Sequence, residues 1–168
     1  CEDFDTDAEL VDVAVADVDG DGILEPIVLQ DSDEGWQVWV LNLDAERTGQ
    51  RPECISDVDL AEVERISAGD IDGDGRAEVV LLDDKGLFGT RDDHLLVMGF
   101  SEEAEGLEAE VEVTVDYGRL LDIAVGDMNA DGIAEVVALD DENKIIRYKY
   151  EYDNLRFLDE RSFAGTED

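Results

Sequence analysis

An all-β fold of three tandem four-stranded units is what the sequence predicts, and three observations predict it. A short acidic motif recurs in register three times along the 168 residues. Each copy sits between two short runs rich in Val, Ile and Leu and bounded by Gly or Asp, the pattern of buried strands. No segment carries a 3.6-residue apolar stripe, so almost no helix is expected.

The motif copies align without gaps at residues 13–25, 66–78 and 123–135. Their first aspartates, Asp17, Asp70 and Asp127, recur after 53 and then 57 residues, a length that suits a four-stranded propeller blade or a comparable β unit. In each unit the first strand precedes the acidic loop (10–16, 63–68, 120–125) and the second follows it (26–29, 79–82, 136–139). Two further strands are expected per unit, at 36–43 and about 51–58, at 94–100 and 107–115, and at 144–152 and 155–163. The strict alternation over residues 108–115 marks a strand with one wet face, as at an outer edge. The predicted organisation is an outer-strand stub (1–8), propeller-type blades at 9–58, 59–116 and 117–163, and a tail (164–168), with an Asp-rich calcium loop between the first and second strands of each blade.

The loop reads Asp-x-Asp/Asn-x-Asp-Gly-x-x-Glu. Calcium takes six to eight hard oxygen ligands, and acidic residues at positions 1, 3 and 5 of a tight loop can all point inward. Gly at position 6 permits the sharp bend that turns the carbonyl of position 7 toward the ion. The acidic residue at position 9 closes the shell. The expected ligands are Asp17, Asp19, Asp21, the Ile23 carbonyl and Glu25; then Asp70, Asp72, Asp74, the Arg76 carbonyl and Glu78; then Asp127, Asn129, Asp131, the Ile133 carbonyl and Glu135. This is not an EF-hand, whose loop needs Glu at position 12, because Val28, Leu81 and Ala138 stand there and strands flank the loop. Bringing four carboxylates together without a cation is opposed by like-charge repulsion, so about three bound calcium ions are expected to be required for stability.

The motif between two apolar strands resembles the calcium-binding FG-GAP or VCBS repeat and is similar to the blades of integrin α-subunit propellers. The resemblance covers nearly the whole chain. It implies that the ion clips the first two strands of a blade together in a structural role, while partners bind surfaces made by other loops. Phe-Gly and Gly-Ala-Pro signatures do not stand at the motif itself, with Ala-Gly-Asp70 and Val-Gly-Asp127 approximating the start. Asn129 and Ala130 make the third loop the least acidic, and the weakest calcium binding is expected there.

Composition bounds the partners. Asp and Glu number 48 against 12 Lys and Arg, for a formal net charge of -36, which disfavours nucleic acid and anionic membranes. At 43 % apolar residues the chain can still bury a core and is no disordered acidic tail. The only lysines are Lys85, Lys144 and Lys149, a pattern shared by salt-adapted surfaces and calcium-rich secreted proteins. No run of about 18 apolar residues exists, so no transmembrane helix is expected. Cys1 and Cys54 occupy the same repeat position, 16 residues before Asp17 and Asp70. Three readings of Cys1 stay open: a lipid attachment point left by a cleaved lipoprotein signal, a disulfide to Cys54, or merely the end of this stretch of chain. Two cysteines and His94 cannot build a zinc, haem or iron–sulfur site.

The functional expectation is a calcium-stabilised extracellular or cell-surface module for protein interaction or self-assembly, such as a surface or filament subunit. A closed propeller needs at least about four blades, so three must pair with another copy, belong to a larger propeller or surface protein, or stay open and stack. The alternative is a glycan-binding, lectin-like module: Trp36 and Trp39 point to opposite strand faces, and Tyr148, Tyr150 and Tyr152 share one face. An enzyme, carbohydrate-active for instance, is not expected, because the carboxylates placed by a motif are spoken for and no nucleophile elbow or phosphate loop is present.

Overall fold

The computed structural model describes residues 8–33, 35–41, 53–55, 63–84, 93–101, 106–115, 119–152 and 154–162. The expected strand stub at 1–8 and the tail at 164–168 lie almost wholly outside these, as does Phe163. Twelve strands form three antiparallel sheets of four, and no helix occurs among the described residues. Among the described residues no helix is long and apolar enough to cross a membrane.

The first sheet is the meander β1 (Glu9–Ala16), β2 (Glu25–Ser32), β3 (Gly35–Val40) and β4 (Glu53–Ile55). The second is β5 (Val63–Gly69), β6 (Glu78–Asp84), β7 (Asp93–Ser101) and β8 (Gly106–Val115). The third is β9 (Leu120–Gly126), β10 (Glu135–Asp140), β11 (Lys144–Tyr150) and β12 (Leu155–Ser162). Each acidic loop joins the first strand of its sheet to the second, so the acidic motif spans a hairpin of fixed register: Ala16 faces Glu25, Gly69 faces Glu78 and Gly126 faces Glu135.

The sheets pack face on face in sequence order, with β1 beside β5 and β5 beside β9. The rear face of the first sheet (Ala16, Val18, Ile27, Leu29, Val38, Val40) meets the front face of the second (Val63, Ile66, Ala77, Val79, Leu81, Met98) in one core. A second core repeats the arrangement between the rear of the second sheet (Ile71, Val80, Leu82, Leu95, Val97) and the front of the third (Leu120, Ile123, Ala134, Val136, Tyr148). The second strand of the middle sheet, β6, is therefore buried on both faces, which is why Val79-Val-Leu-Leu82 reads as an unbroken apolar run rather than an alternation.

Side chains also stitch one sheet to the next. The Ile66 N–H donates to Asp12 Oδ2 (3.1 Å), the Val125 N–H donates to Ser67 Oγ (3.0 Å), and Arg119 pairs with Glu64 (3.0 Å). The first strand of every sheet carries a register shift at the same repeat position, around Val11, Glu64 and Leu121. Such a bulge bends the strand and increases its local twist.

Some elements depart from expectation at their ends. The third strand of the last unit stops at Tyr150, not 152, because the Glu151 N–H bonds to the Asn154 carbonyl (2.8 Å) and Tyr152 turns at φ 56°. Tyr152 thus leaves the row that Tyr148 and Tyr150 share; Tyr148 is buried, Tyr150 half-buried and Tyr152 exposed under the Arg156 guanidinium. Trp39 is buried, and Trp36, on the opposite face, is half-buried against the first core. His94 is half-buried in β7, in register with the buried Asp83.

Candidate metal centre

The three loops are one structure built three times from local backbone donors. In the first, Asp17 accepts from the N–H groups of Gly20 (2.8 Å) and Gly22 (2.9 Å), Asp19 from Asp21 (3.1 Å), and Asp21 from Ile23 (2.8 Å). In the second, Asp70 accepts from Gly73 (2.6 Å) and Gly75 (3.0 Å), Asp72 from Asp74 (2.8 Å), and Asp74 from Arg76 (2.8 Å). In the third, Asp127 accepts from Asp131 (3.2 Å) and Gly132 (2.9 Å), Asn129 from Asp131 (2.8 Å), and Asp131 from Ile133 (2.9 Å). The closing glutamates reach back under the loop, where Glu25, Glu78 and Glu135 accept from the N–H groups of Val18 (3.2 Å), Ile71 (2.8 Å) and Met128 (3.0 Å). All three glutamates are buried.

The bend at position 6 has the conformation that glycine supplies, with Gly22, Gly75 and Gly132 at φ 85°, 93° and 92°. Position 4 is left-handed as well, through Gly20, Gly73 and, against the usual preference, Ala130 at φ 62°. That second requirement was not part of the sequence reading.

Oxygens of Asp17, Asp19 and Glu25 lie within 4.8 Å of one another, and so do those of Asp70, Asp72 and Glu78. These two triads could hold a metal ion. Asp21 and Asp74, at position 5, are outside the triads and exposed at the loop rim. The residues whose carbonyls were expected as ligands, Ile23, Arg76 and Ile133, sit at the loop exits with their N–H groups on position 5. The third loop brings no such triad together among the described residues: Asn129 turns its amide toward the closing residue and donates to Glu135 Oε1 at 2.5 Å. There a hydrogen-bond donor stands where the other loops carry a carboxylate.

Electrostatics follow from this crowding. Burial pushes the Glu25 carboxyl above its ordinary value; the Val18 N–H opposes the shift, while Asp19, Asp21 and Asp17 add to it. Burial likewise pushes Asp72 up, against the Asp74 N–H and with the help of Asp74 and Asp70. Asp127 goes the other way: the Gly132 N–H holds it below the usual range, with the N–H groups of Ala130, Asp131 and Asn129 assisting. A carboxylate raised by its neighbours is one whose charged form lacks compensation, and a bound cation supplies that compensation.

The loops are also tied to the sheet that follows. The N–H of Ala77 donates to the Asp17 carbonyl (2.8 Å), and that of Ala134 to the Asp70 carbonyl (2.7 Å). A Cβ at Gly20 would lie 3.0 Å from Arg76 Cγ, and one at Gly73 3.1 Å from Ile133 Cγ1. Arg76 itself extends over the Phe100 ring (5.5 Å to the centroid). The small residue at position 8, Ala77 and Ala134 against Leu24, was the available sequence signal for this contact. Buried Gln30, Asp83 and Asp140 share a further repeat position; Asp140 Oδ1 caps the β10–β11 turn by accepting from Glu142 (3.0 Å) and Lys144 (2.7 Å).

The chain matches no model of a known protein family, and a search of curated proteins finds no match either.

Proposed function

We propose that this chain is a calcium-stabilised extracellular module of propeller-type blades that serves protein interaction or self-assembly. The observation that carries the reading is the pair of carboxylate triads, Asp17/Asp19/Glu25 and Asp70/Asp72/Glu78, at the same place in consecutive sheets. Oxygen-only donor sets of this kind suit a hard cation and offer nothing to a thiophilic one. A shell with three or four carboxylates and a backbone carbonyl suits calcium, which tolerates irregular geometry, better than magnesium, which demands a near-ideal octahedron. Four-stranded antiparallel meanders packed face to face, with their first strands adjacent, support the propeller-type reading. In this reading the ion is structural.

The test is calorimetric titration of metal-stripped protein with calcium, paired with melting in calcium and in chelator. Binding at two or more sites with a higher melting temperature in calcium is expected. An unchanged melting temperature in chelator at moderate salt would sink the reading. A glycan-binding role has one observation on its side, a groove at the first sheet junction where half-buried Trp36 lies near Arg65 and Arg119. Retention on immobilised glycans that is lost on Trp36→Ala would favour it.

A further inference from the structure

Resting on the self-assembly part of that reading, we infer that the front face of the first sheet docks on the rear face of the third sheet of a second copy. The contact reuses, between chains, the junction the chain already makes twice within itself.

The two faces are identified by comparing equivalent repeat positions. Leu10, on β1, is 59 % exposed, whereas its equivalents Val63 and Leu120 are 1 % exposed. Val13 and Leu24 are likewise exposed, whereas Ile66, Ile123, Ala77 and Ala134 are buried against the preceding sheet. Further from the β1 edge, Val28 and Trp39 on the same face are already buried, so the uncovered part is a strip along β1. At the other end, Met128 is 58 % exposed, whereas its equivalents Val18 and Ile71 are 2 % and 0 % exposed. Leu139 is exposed where Leu29 and Leu82 are buried. This rear face is apolar near β9 and β10 and at Ile145 of β11; beyond them Arg147, paired with Asp159, stands where Val40 and Val97 stand in the other sheets. The uncovered strip and the apolar half-face therefore lie in the same inner part of the repeat.

Two details match the two internal junctions and two do not: Ala130 stands where Gly20 and Gly73 clear the side chain of the next sheet, and Leu24 stands where Ala77 and Ala134 are small. The second junction places Gly69 against Val125: a Cβ on the glycine would come within 2.7 Å of Val125 Cγ1. The first carries Ala16 and Ala68 at those two positions, so a smaller residue on the front strand goes with a larger one on the rear. Across the proposed contact the pair is Gly126 and Val15, the same combination as Gly69 and Val125. Val15 is exposed, and nothing lies within 4 Å of where a Gly126 Cβ would stand. The backbone matches too: the donors Ala77 and Ala134 correspond to Leu24, and the acceptors Asp17 and Asp70 correspond to Asp127. A foreign partner would need neither the Gly126–Val15 pair nor the backbone match, whereas a second copy supplies both. Such a contact is heterologous, joining unlike faces, and it generates a ring if the rotation closes and an open stack if it does not.

The experiment is light scattering over a concentration series in millimolar calcium and about 1 M salt, where the Debye length falls to about 3 Å and the charge of the copies is screened. Wild-type chain is expected to assemble into integer multiples. Val15→Glu, on an exposed strand position, removes the front face, and Gly126→Leu, at an open position with φ outside the left-handed region, fills the rear one. Each alone is expected to stay monomeric with unchanged circular dichroism and calcium-dependent melting. Mixed in equal amounts, they retain one good face each and are expected to give a 1:1 pair that grows no further. A monomeric wild type, assembly untouched by both substitutions, or a mixture showing only separate chains where wild type assembles overturns the inference. Monomers that still melt lower in chelator would leave the calcium reading standing; assembly that ignores both substitutions would leave self-assembly standing through another surface.

Discussion

The N–H of Ala77 donates to the carbonyl of Asp17 at 2.8 Å, so the first residue of one acidic loop is also the acceptor that holds the next sheet in place. Ala134 repeats the bond to Asp70 at 2.7 Å. Whatever orders an acidic loop therefore orders the junction beyond it, and loop and interface are expected to melt together rather than separately.

Occupancy of one loop is thus expected to be felt by the whole array. Glu25→Gln keeps the shape of the closing residue but removes a charge from the first triad. In calcium it is expected to lower the melting temperature and reduce the binding stoichiometry by one. In chelator it is expected to raise stability, because burial and three neighbouring aspartates disfavour the native carboxylate. Calorimetry in the two conditions checks the change of sign.

The position-4 residues test the junction directly. Gly73→Ala adds a methyl 3.1 Å from Ile133 Cγ1 and forces a left-handed alanine, so a loss of about 1–3 kcal/mol is expected from strain and overpacking. Ala130→Gly removes the left-handed penalty of about 1–2 kcal/mol, less about 0.5–1 kcal/mol of glycine entropy, and is expected to be neutral or mildly stabilising. Urea titrations read both.

A double-mutant cycle isolates the packing between the second and third sheets. Gly69→Ala alone sets a methyl 2.7 Å from Val125 Cγ1 and is expected to cost about 1–3 kcal/mol. Combined with Val125→Ala, which reproduces the Ala16 and Ala68 pair of the first junction, most of that cost is expected to vanish. Additive losses would show that the two positions do not share the contact.

The pH dependence is expected to reverse with metal. In metal-free protein Glu25 and Asp72 are raised, so the stability they contribute is complete below their unfolded values and is lost as pH rises through the folded ones. Asp127 is lowered, so its contribution is present above its unfolded value and lost as pH falls through the folded one, in a more acid range. Chelated protein is therefore expected to melt higher at pH 5 than at pH 7. Calcium-loaded protein is expected to melt lower at pH 5, because protons compete for the ligands. Melting curves with and without chelator at both pH values decide it.

Asn129→Asp converts the donor facing Glu135 into a third carboxylate. It is expected to strengthen calcium binding at the third loop and to weaken the fold in chelator. Titration calorimetry against wild type shows whether a site is gained.

Local chemistry made much of this protein legible in its sequence. The alternation of Val- and Ile-rich runs with Asp-Gly loops placed the strands that flank each loop, and the left-handed bends at Gly22, Gly75 and Gly132 followed from residue type, because each depends on a few neighbouring dihedrals. The gathering of the carboxylates at positions 1, 3 and 9 of the first two loops was readable for the same reason. What only the tertiary structure decided is non-local. No spacing says that Asn129 would spend its amide on Glu135, that Ala77 would hold the Asp17 carbonyl, or that Gly69 is small because Val125 lies opposite it. Nor does it say that Leu10 is bare where Val63 and Leu120 are buried, since the three look alike in sequence. Burial belongs to a residue's neighbours in space, and the repeat supplies those neighbours from the sheet before or after, not from the strand that carries the residue.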